Sequence, residues 1–339
     1  MQNEGFGPII IAYDQEPLHH HYNKTLFDFI IRNFKDDNGH TRTIILLNTE
    51  KESKEKNKIL KFFHFKDANY FFHGLAAADW YRGYYYDNRL VKVNQRTLKK
   101  KYITFNRITG NSRVYRSFLI AELAKKNLLD YGNISYSNIC PVHGHYEKNL
   151  LSSIDQYNLD KNYVANTKNI LDKVSNSLRI DSADIIPNGS QTLGPISALM
   201  ESFLHVVTET CFWDERTHLT EKIFKPIVAK QPFVLVGCAG NLKYLKSYGF
   251  KTFDRWWDES YDEIQDPILR LQKIVEIIDE VCAMSFEELH NIMQGMKHVL
   301  DHNYELFYSK DFVDNIWKEM TSSLDSAIAQ QSPQTLKEN

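Results

Sequence analysis

Short β-branched runs alternate along the chain with longer stretches whose apolar residues recur at helical spacing. That alternation predicts layered α/β structure. Residues 8–13 (PIIIAY) predict a buried strand and residues 24–34 the helix after it. Residues 43–47 (TIILL) predict a second strand. A third, over 70–73, opens into the aromatic turn GLAAADWYRGYYY, and 101–105 (KYITF) predict a fourth. A loop with Gly110 leads into a helix over 113–127, whose Phe118, Leu119, Leu123 and Ala124 form one apolar face.

Beyond the loop 140–145, residues 148–177 read as helix plus connector, and Pro187, Gly189, Gly194 and Pro195 punctuate a further loop. A second α/β set follows: strand 203–207, helix 221–229, strand 232–236, helix 241–248 and a short strand 251–253. Helices are expected over 266–281, 286–304 and 310–324, the last crossing back to the first lobe. The pattern predicts two Rossmann-like lobes facing a central cleft, with ligands at the carboxyl ends of the strands. The expected division is an acceptor-side lobe at 1–160, a donor lobe at 161–322 and a disordered polar tail at 323–339.

With 339 residues, 42% hydrophobic and 25% charged, the chain has the composition of a globular protein with more than one core. A net charge of −2 gives no global attraction to polyanions, but charge is unevenly placed. Between Arg89 and Lys126 Glu122 is the only acid, a stretch that can serve phosphates or simply be a solvated face. Cys140, Cys211, Cys238 and Cys282 show no CxxC pairing, which fits free thiols in a reducing compartment. The N-terminus lacks a basic region followed by an apolar core, and no apolar run reaches bilayer length. The expectation is a cytoplasmic chain with no membrane span, in the host cytoplasm if the source is viral.

The segment richest in chemistry is VVTETCFWDERTHLTEKIFKPIVAKQPFVLVG, residues 206–237. Glu209 follows the strand at its carboxyl end. Thr220, Glu221 and Lys222 open the next helix, with Thr220 placed as its N-cap. Free N–H groups at a helix start, joined by a lysine, suit a diphosphate, and the neighbouring carboxylate suits sugar or ribose hydroxyls. A capped surface helix is the plain alternative. Three consecutive histidines, His19 to His21, cannot all face one ligand. Cys140, His143 and His145 lack a complementary pair at zinc-site spacing, so no metal is expected.

The stretch LTEKIFKPIVAKQPFVLVG resembles the donor-binding motif of the family 10 fucosyltransferases and of related phage, bacterial and viral glycosyltransferases. YITFNRITGNSRVYRSFLIAELAKKNLLD, residues 102–130, is similar to the strand, loop and arginine-led helix of the same family. The resemblance spans residues 102–258, under half the chain. It implies a GT-B-like α/β fold and transfer of a sugar from a nucleoside-diphosphate sugar to a hydroxyl, with inversion and without a metal. It places Arg116 on the donor phosphates, with Arg113 and Arg107 as substitutes. Glu221 falls on the ribose or sugar, Lys222 on the diphosphate, and Glu209 near an acidic and amide pair. The acceptor is a glycan or lipopolysaccharide-type hydroxyl, or a hydroxymethylated base in duplex DNA. A non-catalytic nucleotide- or nucleic-acid-binding protein on the same fold is the rival from another class.

Inverting transfer needs a carboxylate to deprotonate the acceptor. Asp14 and Glu16 follow the first strand in YDQEPL, and Asp79 lies in AAADWYRG, where Trp80 and Tyr81 can stack on a ring. Each is also a plausible turn-former, and Arg82 is the obvious salt-bridge partner for Asp79.

Overall fold

A computed structural model of the protein describes residues 7–35, 39, 42–87, 90, 96–174, 177–178 and 191–330. Its strands and helices run β1 (Ile9–Ala12), α1 (His20–Asn33), β2 (Ile44–Asn48), α2 (Lys54–Phe63), β3 (Lys66–Asn69), α3 (Phe72–Tyr81), β4 (Lys100–Asn106) and α4 (Tyr115–Lys125). There follow β5 (Gly132–Ser137), β6 (Ile139–Cys140), β7 (Gly144–His145), α5 (Tyr146–Tyr157), α6 (Lys161–Leu171), β8 (Ser177–Leu178) and α7 (Ile196–Glu201). The chain closes with β9 (Ser202–Thr208), α8 (Phe224–Val228), β10 (Phe233–Val236), α9 (Asn241–Ser247), α10 (Pro267–Ala283), α11 (Phe286–Phe307) and α12 (Lys310–Ala329).

It is an α/β protein of two compact units. One takes the described residues of Met1–Leu75, Glu215–His218 and Lys310–Asn339, the other those of Ala76–Asp214 and Leu219–Ser309. In the first unit β1, β2 and β3 form a parallel sheet in that order. The central strand β2 is buried at every position, which is why its sequence is a continuous apolar run. Leu18, Phe27, Ile44, Leu46, Ile59, Phe63 and Phe65 make the core. Helix α12 caps the far edge: Ser323 Oγ accepts the Asn69 N–H at 2.8 Å, and Glu319 accepts the Phe71 N–H and pairs with Lys51 at 2.7 Å. A Cβ on Gly74 would stand 3.0 Å from Ile316 and 3.2 Å from Phe312, so glycine permits this close approach. Residues 323–329, expected as tail, are therefore helical, and 331–339 lie outside the described residues.

The second unit is built on the sheet β10-β9-β4-β5-β8, parallel except for β8, which runs antiparallel to β5. The boundary expected at residue 160 is wrong, because β4 and β9 are direct neighbours, with Ile103 opposite His205 and Thr104 opposite Val206. From β4 the chain steps one way to β5, then returns to add β9 and β10 on the other side. The order reverses between β4 and β9, which makes that point the sheet's topological switch.

Two expected strands are absent. Tyr70 and Phe71 lead into α3 and residues 72–73 are its first turn, since β3 already ends at Asn69 and the alanine-rich run favours helix. At 251–253 side chains take the groups a ladder would use. Asn303 binds both the N–H and the C=O of Lys251 at 2.8 Å, and Glu259 accepts the Phe253 N–H at 2.7 Å. Helix α4 is buried on all sides from Tyr115 to Leu123, not along one face. One side meets α6, where Phe118 and Tyr163 stack at 5.4 Å. The loop residues Pro187 and Gly189 lie outside the described residues.

Candidate functional site

At the carboxyl end of β9 the chain passes directly from Thr208 to Glu209, whose side chain is fully buried. The Glu209 carboxylate accepts the Thr220 hydroxyl at 2.5 Å, the Thr220 N–H at 3.3 Å and the Thr210 N–H at 3.3 Å. Burial holds this carboxyl above the usual carboxylate range and Glu221 adds to the effect, while Lys222 and the Thr220 bonds oppose it. Thr220 also caps the short 3-10 turn Glu221–Ile223 that leads into α8. Lys222 Nζ lies 3.0 Å from Thr220 Oγ1, 3.1 Å from Glu221 Oε1 and 3.4 Å from Thr210 Oγ1, with its side chain 28% exposed. Glu209, Thr210, Thr220, Glu221 and Lys222 thus form one cluster beside the switch point. At the end of the adjoining β4, the buried Asn106 Oδ1 and Thr109 Oγ1 have no hydrogen-bond partner among the described residues.

Arg116 does something other than the resemblance implies. Its guanidinium is buried and donates to the carbonyls of Ile108 at 2.9 Å, Thr208 at 2.8 Å and Glu209 at 3.2 Å. Those bonds tie the β4 loop to the end of β9 and point the terminal N–H groups at backbone, not at a ligand. Tyr115 assists, donating to the Glu209 carbonyl at 2.5 Å and stacking on Phe212 at 4.3 Å. The same device recurs at Arg270, which sequence reasoning missed. It donates to Gly237 O at 3.0 Å, Ile264 O at 2.6 Å and Phe212 O at 2.6 Å. Burial lowers its pKa. The available signal was an arginine inside the apolar stripe of α10, beside Leu271 and Ile274. Of the substitutes, Arg107 is exposed on the bend after β4, and Arg113 is half-buried in the 3-10 turn ahead of α4.

The three candidate bases do not form a set. Asp14 and Glu16 belong to the first unit and Asp79 to the second. Asp14 accepts the Tyr70 hydroxyl at 2.6 Å, Glu16 is exposed, and Asp79 is an exposed residue of α3 paired with Arg82 at 3.3 Å. Tyr81 is fully buried and cannot stack on a ligand. Burial raises its pKa, and the Glu221 carboxylate is the next contributor.

The basic stretch dissolves into separate contacts. Lys99 pairs with Glu201 at 2.8 Å and Lys126 with Asp279 at 2.6 Å. Lys100 donates to Asp130 O at 2.7 Å, and Lys101 reaches Met284 O and lies over the Phe286 ring. Arg96 is buried on the carbonyls of Leu199 and Ala229. Arg89 and residues 91–95 lie outside the described residues. Among the described residues no three His, Cys, Asp or Glu side chains are grouped to hold a metal, and no helix is long and apolar enough to cross a membrane.

No protein-family model, curated protein or solved structure matches the chain.

Proposed function

We propose that the protein is a glycosyltransferase that moves a sugar from a nucleoside-diphosphate sugar to a hydroxyl acceptor, with its donor held at the Glu209–Lys222 cluster of the second unit. The observation that supports this reading most is the position of that cluster. A part-exposed lysine, a capped helix start and two carboxylates meet at the carboxyl end of β9, next to the reversal in strand order where α/β sheets bind nucleotides. In this reading Lys222 meets the diphosphate, with Arg107 and Arg113 on the loop from β4 as the further cations. Glu221 meets donor hydroxyls, and Glu209 sets the position of Thr220 and Lys222. Arg116 supports the loop from behind. GT-B architecture and an inverting reaction belong to the same proposal. Cations and peptide N–H groups would meet the charge that develops on the leaving diphosphate.

Among the described residues the partnered Lys99, Lys100 and Lys126 and the buried Arg96 weigh against a continuous basic stripe for duplex DNA, so a glycan hydroxyl is the acceptor we carry forward. A thermal-shift screen against UDP-, GDP-, ADP- and CDP-linked sugars, followed by detection of released nucleotide, tests the reading. One donor should stabilise the protein and be turned over. Stabilisation without nucleotide release would make it a binding protein, and no shift with any donor would overturn the assignment.

A further inference from the structure

The second unit carries a group of tyrosines that donor binding does not use. After α3 the chain turns through a 3-10 helix, Arg82–Tyr86, that leaves Tyr85 47% and Tyr86 81% exposed. Exposed rings usually move freely, but Tyr85 is fixed. It stacks on Tyr304 of α11 with centroids 6.0 Å apart and planes 14° apart, and it meets Tyr308 edge-on at 5.0 Å. Tyr304 donates to the Tyr85 carbonyl at 3.3 Å and Tyr308 to the Tyr81 carbonyl at 2.8 Å, while Lys230 Nζ lies 4.4 Å from the centre of the Tyr304 ring. Tyr86 stands edge-on to Tyr85 at 5.0 Å. Inward, Tyr84 meets the buried Tyr81 at 6.3 Å, and Phe307, beside Tyr308, stacks at 4.9 Å on Phe224, two residues after Lys222. These rings therefore lead from open surface to the edge of the donor cluster.

Among the described residues, the cations Arg82, Lys230 and Lys297 of this surface are paired. Arg82 pairs with Asp79 at 3.3 Å, and Asp301 takes Lys230 at 2.7 Å and also Lys297. A phosphate backbone needs cations that it can neutralise, and here carboxylates already hold them. A pyranose needs none, since its C–H face lies on an aromatic ring and its hydroxyls meet polar groups at the rim. Fixed tyrosines also give contact area at low conformational cost.

We propose that Tyr85 and Tyr86 form the acceptor subsite for a neutral oligosaccharide, an inference that rests on the glycosyltransferase reading. The full chain, fluorescently labelled, is applied to a printed array of neutral glycans, and the strongest binder is then titrated calorimetrically alongside UDP, GDP and a duplex DNA oligonucleotide. A neutral glycan should bind. The double variant Tyr85→Ala/Tyr86→Ala should weaken that binding about tenfold or more and leave nucleoside diphosphate affinity unchanged. Should the double variant unfold, Tyr86→Ala alone decides, because its ring is mostly in solvent. Absence of any neutral-glycan binding overturns the proposal, as does unchanged glycan affinity in the variants, or DNA bound in place of glycan. Glycan binding lost in the variants while no nucleoside diphosphate binds would keep the subsite and defeat the donor reading. Nucleoside diphosphate binding without glycan binding would do the reverse.

Discussion

Replacing Arg116 by methionine keeps the length of an unbranched side chain and removes every N–H that holds the β4 loop. Three carbonyl contacts are lost. The Glu209 carbonyl keeps Tyr115 as a donor, so the main loss falls on Ile108 O and Thr208 O. A buried carbonyl deprived of its donor costs about 1–3 kcal/mol, partly offset because a guanidinium no longer has to be desolvated. The expected net destabilisation is about 2–4 kcal/mol. Four of the five tryptophans, Trp80, Trp213, Trp256 and Trp257, lie in the second unit, Trp213 packs edge-on to Phe118 of α4 at 5.9 Å, and Trp317 of the first unit is replaced by phenylalanine in the background used for the measurement. Urea unfolding followed by tryptophan fluorescence therefore reports on the unit in which the bonds are broken, and a two-unit chain calls for such a local probe. Arg116→Lys should fall between the two, since a single ammonium cannot fork to three carbonyls. An Arg116→Met protein with the wild-type midpoint and a weakened affinity for nucleotide would refute the reasoning and return Arg116 to the donor phosphates.

Glu209→Gln gives a pH signature. The folded carboxyl holds its proton more tightly than the unfolded one, so the wild type loses stability as pH rises from the unfolded carboxylate range through the folded pKa. The glutamine variant does not titrate there and should gain on the wild type as pH rises above the unfolded carboxylate range, measured by denaturant unfolding; a constant difference would contradict the buried, proton-retaining carboxyl. Asp79→Asn should leave stability within about 0.5 kcal/mol and leave turnover unchanged, because its ion pair is exposed. Asp14→Asn should cost about 1 kcal/mol through its Tyr70 bond; if Asp14 is the base, turnover also falls about 10²–10⁴-fold with donor affinity kept, and the same kinetic comparison on Glu16→Gln decides between the two.

Much of the chain's local structure was legible in the sequence. The strands at TIILL, KYITF and FLHVV occupy central sheet positions and FVLV is a buried edge strand, and buried strands of this kind are rich in apolar residues. Thr220 was legible as a cap because its hydroxyl has a local duty to the turn it opens. What failed depends on distant partners. Nothing near KYITF announces that its neighbour is β9, so the chain was cut at residue 160, between two strands that pair. Asn303 and Glu259 occupy the backbone at 251–253 from other parts of the chain, and no strand forms there. Arg116 and Arg270 look alike in sequence to ligand-binding arginines. Only the carbonyls that converge on them in space distinguish a backbone staple from a phosphate contact.

The central claim is that the Glu209–Lys222 cluster holds the donor, and Lys222→Ala tests it most directly. Lys222 is part-exposed and bonds only to neighbours of the cluster, so the variant should still fold, with a midpoint lowered by the loss of its pairing with Glu221. Calorimetric titration with the nucleoside diphosphate that best stabilises the wild type should show affinity reduced by about 10- to 100-fold, the worth of one charge-assisted contact. Equal affinities in wild type and variant, with both proteins folded, would contradict the account.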